Sequence, residues 1–162
     1  MPARAKRSDP LRDLLTVRDL LRYAVSRFAE AKLVFGHGAT TALDEAAFLL
    51  LESLHLPVDD INPWLDARLT GDERALILER IALRIATRKP MAYITGRTWI
   101  AGVPIRVDER VIVPRSYLAE LVTGDLVGGD GFALVEDPLA VGRVLDLCTG
   151  SGCLAILAAR AF

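Results

Sequence analysis

Hydrophobic residues early in the chain follow the spacing of an amphipathic helix. Apolar positions recur three and four residues apart from Val17 to Phe35, and Gly36 and Gly38 follow them. The positions on this face are Val17, Leu20, Leu21, Ala24, Phe28, Ala31 and Phe35. The pattern predicts one helix that packs this face on a core and ends at the two glycines.

Capping residues predict a second helix. Thr40 or Thr41 precedes Asp44 and Glu45, and the apolar stretch behind them continues to Pro57. A hydroxyl cap followed by acidic residues in the first turn satisfies the free N–H groups of a helix start and favours its dipole. We therefore expect a largely buried helix here.

A third helix is predicted from a Thr-x-x-Glu capping box at residues 70–73. Its apolar face would consist of Leu78, Ala82 and Ile85, and Lys89-Pro90 would stop it. Residues 1–90 are thus expected to form a small all-helical domain.

The hydrophobic period then changes to that of strands. The runs Thr98–Ile100 and Val103–Val107 flank Ala101-Gly102, which is a tight-turn signal. Residues 91–113 are therefore predicted to form a β-hairpin linker, and a helix is expected to start after Ser116.

The last part of the chain reads as strand, glycine turn and helix. Arg143–Leu147 is predicted to be a strand, Cys148–Cys153 a glycine-rich turn and Leu154–Phe162 an apolar helix. This order opens a doubly wound α/β fold, in which several parallel strands are covered on both faces. Residues 114–162 would be the truncated start of such a domain.

Charge and composition exclude some classes of protein and leave others open. The net charge of -1 gives no global attraction to nucleic acid or anionic membrane. The first 27 residues are nevertheless basic, which indicates either a solvated helix face or an RNA or ribosome contact. Their cations are Arg4, Lys6, Arg7, Arg12, Arg18, Arg22 and Arg27, against Asp9, Asp13 and Asp19.

Neither a membrane span nor a signal peptide is recognisable, so a cytoplasmic protein is predicted. Cys148 and Cys153 lack the spacing of a disulfide framework or a zinc site, and His37 and His55 have no ligand partner at metal-binding spacing. We therefore expect small buried cysteines, structural histidines and no metal. The apolar fraction of 52% suggests a core face without its partner strands, through which chains could pair.

The glycine turn carries the most specific chemistry. Gly150-Ser151-Gly152-Cys153-Leu154-Ala155 fits the dinucleotide pattern G-x-G-x-x-A, so a nicotinamide or flavin oxidoreductase is one candidate. Asp146 precedes the turn, and its carboxylate would repel a diphosphate but attract the cationic groups of S-adenosylmethionine. The methyl donor is favoured on this ground, while glycines that only allow close strand–helix packing remain an alternative.

Several motifs occur in the order found in a known family. They are Tyr93–Gly96, Val107–Ser116 and Val144–Cys153, with Phe35–Gly38 and Leu43–Ala46 before them. The sequence resembles the protein N5-glutamine methyltransferases over residues 16–162. Cys148 and the sequence Val-Pro-Arg-Ser resemble the branch that acts on ribosomal protein number three of the large subunit, rather than the branch for peptide-chain release factors.

This resemblance implies a fold of class α + α/β, with an N-terminal helical bundle, a β-hairpin linker and the first strand-turn-helix of a Rossmann-like methyltransferase domain. The bundle and hairpin would recognise the protein substrate, and the Rossmann-like domain would bind S-adenosylmethionine. The residues expected to border the methyl donor are Asp146, Cys148, Thr149, Gly150, Ser151 and Gly152, with Arg115 and Glu120 near the site.

The catalytic Asn-Pro-Pro-Tyr motif of that family does not occur in the 162 residues. The resemblance therefore implies a parent enzyme that methylates glutamine and a fragment that is inactive alone. Methylation of a release-factor glutamine, or a non-enzymatic module that binds ribosomal protein or RNA, are the alternatives.

Overall fold

The computed structural model describes residues 9–36, 38–124 and 135–162. Its internal contacts divide the chain between Thr95 and Gly96. We call the part before this division the helical unit and the part after it the hairpin unit.

The described residues of the helical unit form α-helices and the segments that connect them. The helices are α1 (Pro10–Asp13), α2 (Val17–Glu30), α3 (Ala42–Ser53), α4 (Gly71–Thr87) and α5 (Met91–Thr95), with a 3-10 turn at Asn62–Trp64. The short helix α5 lies in the predicted linker but packs on α3 and α4, so the division falls after Thr95 rather than at Pro90.

The three long helices begin with reciprocal capping boxes. In each, a threonine hydroxyl accepts from the backbone N–H three residues on, and that residue's carboxylate accepts from the threonine N–H. The pairs are Thr16 with Asp19, Thr41 with Asp44, and Thr70 with Glu73. The helix starts predicted at Thr41 and Thr70 are confirmed. Each cap is worth about 1 kcal/mol.

Helices α2, α3 and α4 enclose a single apolar core. Among its fully buried side chains are Leu20, Phe28, Leu49, Leu50 and Ile77. A buried Leu, Ile or Phe side chain stabilises the fold by about 1.5–3 kcal/mol relative to an exposed one, so this core dominates the stability of the unit.

Helix α2 ends earlier than predicted. It stops at Glu30, and Lys32 has φ +49°, whereas the pattern had extended the helix to Gly36. The Arg88 guanidinium donates to the carbonyl oxygens of Ala31 (2.9 Å) and Lys32 (3.3 Å). These bonds satisfy carbonyls that a continuing helix would have paired, and the hydrophobic spacing gives no sign of them.

The buried face of α4 is also shifted from the prediction. Ile77, Ile81 and Arg84 are buried, while Ala82 is exposed and Leu78 is only half-buried. Spacings of four and three put these three residues on one face. Arg84 is charged, so the prediction based on apolar residues selected a neighbouring face of the helix.

We expect the carboxylates of the first two capping boxes to make the helical unit sensitive to acid. Hydrogen bonds from the N–H groups of Leu15 and Thr16 lower the pKa of Asp19, and bonds with Thr41 and Thr40 lower that of Asp44. A lowered folded pKa stabilises the fold above the ordinary carboxyl value of 3.8, and this contribution is lost as pH falls through the folded pKa.

Thermal unfolding midpoints measured between about pH 6 and about pH 2 test this expectation. The Asp19→Asn, Asp44→Asn variant keeps an acceptor oxygen at each cap but cannot titrate there. Its midpoint should be lower near neutral pH and fall less steeply in acid. Parallel curves for the two proteins would contradict the assignment.

The hairpin unit contains β1 (Arg97–Ile100) and β2 (Val103–Arg106), then α6 (Tyr117–Thr123), a 3-10 turn at Pro138–Ala140 and α7 (Cys153–Ala161). The strands pair antiparallel, and Ala101 (φ +47°) and Gly102 (φ +73°) form the left-handed turn between them. The predicted hairpin is confirmed. Ser116 caps α6 as expected, and α6 packs on α7.

The predicted strand at Arg143–Leu147 is wrong. Residues 141–146 carry no regular secondary structure, and Val144, Leu145 and Leu147 are 55%, 80% and 75% exposed. In the described residues the hairpin is the only sheet, so this segment has no neighbouring strand with which to form a ladder. Its apolar composition agrees with a strand, but composition cannot supply the partner.

Candidate functional site

The glycine turn before α7 contains three residues in the left-handed conformation and is held by hydrogen bonds between its own residues. Cys148, Gly150 and Gly152 have φ values of +60°, +57° and +78°. The Gly152 N–H donates to the carbonyl oxygen of Thr149 (2.9 Å), and the Thr149 hydroxyl donates to that of Asp146 (3.0 Å). A side chain at Gly150 or Gly152 would be strained here, because L residues rarely adopt these angles.

Two buried oxygens at this turn lack a hydrogen-bond partner among the described residues. They are Oδ2 of Asp146 and Oγ of Ser151, and each is almost entirely shielded from solvent. A buried polar atom without a partner costs about 1–3 kcal/mol. Such atoms in a native protein are commonly satisfied by a ligand or ordered water.

The turn presents both signs of charge to a small molecule. Gly152 caps α7 without any side-chain acceptor, so the first N–H groups of that helix can receive an anionic group. The Asp146 carboxylate stands at the other end of the turn. Apart from its chain neighbours, no described residue has an atom within 4 Å of a Cβ built on Gly152, which leaves space against the backbone. These features fit a ligand that has the ammonium and carboxylate groups of an amino acid and a further positive charge.

Arg115 and Glu120 lie along a different surface of the same unit. Both line a cleft of about 740 Å3 between the hairpin and the start of α6, with Trp99, Pro114 and Tyr117. Residues 146–152 do not line this cleft. The structure therefore brings Arg115 and Glu120 together, and separately brings Asp146 together with the residues of the glycine turn.

The cysteines and histidines occupy less uniform environments than predicted. Cys153 is buried in α7 as expected, but Cys148 is exposed on the glycine turn. His55 is exposed after α3, and His37 lies outside the described residues. Within the described ranges, no group of three metal-ligating side chains is found.

The basic N-terminal stretch is partly neutralised where the structure describes it. Arg18 pairs with Asp66 (3.0 Å) and Arg27 with Glu30, while Arg22 is exposed on α2. Arg4, Lys6 and Arg7 lie outside the described residues. The paired arginines favour a solvated helix face over a nucleic-acid contact at α2.

Sequence patterns missed a buried ion pair in the helical unit. Arg84 of α4 donates from Nε and Nη2 to the carboxylate of Glu45 in α3, and the two side chains are 3% and 6% exposed. The same guanidinium donates to the carbonyl oxygen of Val34 (3.2 Å). The pair therefore ties α3, α4 and the segment after α2 together. The one sequence signal for this ion pair is that Arg84 lies seven residues after Ile77, on the same buried face of α4.

No helix in the described part of the chain is long and apolar enough to cross a membrane. No protein-family model matches the sequence.

The known proteins to which the chain is similar belong to one class of protein. The chain is 56% identical over 147 residues to a protein of Burkholderia pseudomallei, 54% over 152 residues to one of Bradyrhizobium diazoefficiens, and 53% over 150 residues to one of Bordetella pertussis. These matches cover 91–93% of the chain and 46–49% of the relatives, so the chain spans about half the length of the curated relatives it matches.

All three relatives are protein methyltransferases, and along nine tenths of its length the chain is homologous to that class. Each is named ribosomal protein uL3 glutamine methyltransferase. The family resemblance inferred from the motifs is thereby confirmed, and so is the likeness to the branch named for ribosomal protein uL3.

Proposed function

We propose that the protein of which this sequence is a part methylates a glutamine side chain of ribosomal protein uL3, with S-adenosylmethionine as the methyl donor. The observation that carries this proposal is the 53–56% identity to relatives of that name. Because its substrate would be a ribosomal protein, we also propose that it acts in the cytoplasm.

The glycine turn supports the choice of cofactor. In the proposal, Asp146 attracts the cationic groups of S-adenosylmethionine, and the N–H groups at the start of α7 receive its carboxylate. Ser151 supplies one more polar oxygen, while Gly150, Gly152, Cys148 and Thr149 shape the turn. A nicotinamide or flavin dinucleotide would instead bring a diphosphate against the Asp146 carboxylate.

The cofactor supplies an activated methyl group bonded to a sulfonium. An amide nitrogen is a weak nucleophile, so the protein must orient it and accept its hydrogen bonds. Arg115 and Glu120 are proposed to border the place where the two substrates meet, and the helical unit to bind uL3. Residues 114–162 are proposed to begin a Rossmann-like domain, in which Arg143–Leu147 would gain neighbouring strands.

Methyl transfer from labelled S-adenosylmethionine to purified uL3 tests the proposal. The full-length protein should label one glutamine of uL3, and peptide-chain release factors should stay unlabelled. Labelling of a release factor alone would contradict the proposed substrate. Labelling of neither protein would contradict the proposed activity.

The 162-residue chain alone is expected to transfer no methyl group, because its sequence contains no Asn-Pro-Pro-Tyr motif. The same assay measures this directly with the full-length protein as positive control. Label in uL3 above background would show that these 162 residues suffice for transfer.

A further inference from the structure

Thr149 lies within the glycine turn and connects its two ends. Its hydroxyl donates to the main-chain carbonyl oxygen of Asp146 (3.0 Å), and its own carbonyl oxygen accepts from the N–H of Gly152 (2.9 Å). Asp146 carries the buried carboxylate oxygen that has no described partner, and Gly152 is the N-cap of α7. One residue therefore links the carboxylate side of the turn to the start of the helix.

The backbone on both sides of Thr149 adopts angles that side chains disfavour. Cys148 and Gly150 have φ values of +60° and +57°, and Gly152 has +78°. Glycine loses more conformational freedom on folding than any other residue, and a non-glycine residue is strained in this region. Hydrogen bonds within the turn must therefore offset the cost of holding this conformation.

A fixed backbone matters most for the side chain of Asp146. Its Oδ2 is buried without a described partner, and a carboxylate in that state gains free energy by turning toward water. The bond from the Thr149 hydroxyl holds the main chain from which this carboxylate projects. Thr149 is itself exposed, so water competes for its hydroxyl, and the bond contributes no more than an ordinary neutral hydrogen bond.

We propose that Thr149 is a positioning residue, whose hydroxyl fixes Asp146 in the orientation that attracts the cationic groups of S-adenosylmethionine. Thr149 acts on the ligand through Asp146 and does not need to touch the ligand itself. This role rests on the proposed function, because it requires that the turn holds the methyl donor. The group that matters is the hydroxyl, and the shape of the threonine side chain is secondary.

Thr149→Val tests the hydroxyl, because valine has nearly the same shape as threonine and cannot donate. Calorimetric titration of the full-length protein should show that this variant binds S-adenosylmethionine about 2- to 12-fold more weakly than the unmodified protein, the equivalent of one neutral hydrogen bond. Thr149→Ser keeps the hydroxyl and should retain most of the affinity.

Thr123 provides a matched control in the same unit. Its hydroxyl donates to the carbonyl oxygen of Ala119 (2.8 Å), so Thr123→Val removes the same kind of bond from α6. This variant should leave the affinity for S-adenosylmethionine unchanged. A loss as large as that of Thr149→Val would mean that the affinity depends on the stability of the whole unit, and not on the turn.

Combination with Asp146→Asn separates a positioning role from a general loss of structure. If Thr149 acts through the Asp146 carboxylate, Thr149→Val should weaken binding by less than about two-fold further once that charge has been removed. Losses at two independent sites would multiply in full, whereas residues in one network show an interaction energy. A smaller loss in the double variant is therefore the expected result.

Hydrogen exchange in the ligand-free, full-length protein tests the turn without the cofactor. Thr149→Val should exchange the Gly152 amide hydrogen faster than the unmodified protein, and Thr123→Val should not. If the unmodified protein binds no S-adenosylmethionine, the proposed function fails. The exchange of the Gly152 amide would still decide whether the Thr149 hydroxyl holds the turn.

Three results would overturn the positioning role. Thr149→Val could bind S-adenosylmethionine as tightly as the unmodified protein. Thr149→Ser could lose as much affinity as Thr149→Val, which would assign the effect to the shape of the side chain. Finally, the losses of Thr149→Val and Asp146→Asn could multiply in full, which would show that Thr149 does not act through the carboxylate.

Discussion

Replacing Glu45 with Gln is expected to lower the free energy of unfolding of the helical unit by about 3–5 kcal/mol. The variant leaves the Arg84 guanidinium, which is 3% exposed, buried between α3 and α4 without its counter-charge. The bond from Arg84 to Val34 would hold only one edge of the guanidinium. Urea denaturation monitored by circular dichroism measures the loss.

Two controls separate the buried pair from ion pairs in general. Asp66→Asn breaks the exposed pair with Arg18 and should change stability little, because water screens such pairs. The double variant Glu45→Leu, Arg84→Met removes both charges and should recover much of the lost stability. If Glu45→Gln unfolds at the wild-type urea concentration, the pair does not hold α3 against α4.

Replacing Asp146 with Asn is expected to weaken S-adenosylmethionine binding by the full-length protein about 10- to 150-fold. The substitution keeps the shape of the side chain and removes its charge, and a hydrogen bond to a charged group is worth about 1.5–3 kcal/mol. Oδ2 of Asp146 is buried with no described partner, so its loss should affect the ligand more than the fold. Calorimetric titration gives the dissociation constants.

Glu136→Gln is the matched control for this variant. It removes one exposed carboxylate of the same unit that is not part of the turn, and it should leave the affinity unchanged. Equal losses in both variants would mean that net charge, rather than the position of Asp146, controls binding. Unchanged affinity in Asp146→Asn would place the cofactor elsewhere.

Elements that are specified by neighbouring residues were predicted well from the sequence. Thr41 and Thr70 cap their helices through bonds to residues three positions away, and Ala101-Gly102 forms the turn that its type requires. All the atoms needed for these structures lie within a few residues. The local sequence pattern is therefore sufficient to predict these caps and this turn.

Features that depend on distant partners were not predicted. Helix α2 ends at Glu30 because Arg88, far along the chain, takes the carbonyls that follow. The buried face of α4 differs from the predicted face because the ion pair with Glu45 allows Arg84 to be buried. The segment Arg143–Leu147 has a strand-like sequence and no strand beside it. In each case the deciding contact is long-range.

The same distinction between local and long-range contacts applies to the candidate site. The glycine turn and its carboxylate were recognised from spacing, since the turn is local. That Arg115 and Glu120 face a cleft with Trp99, rather than the turn, depends on how the hairpin packs beside α6.

Parallel titration of the full-length protein with S-adenosylmethionine and with NADH is the most direct test of the account. A carboxylate at the glycine turn should admit the cationic, phosphate-free ligand and oppose the diphosphate. Saturable binding of S-adenosylmethionine with no measurable binding of NADH is predicted. Binding of NADH with no heat from S-adenosylmethionine would contradict it.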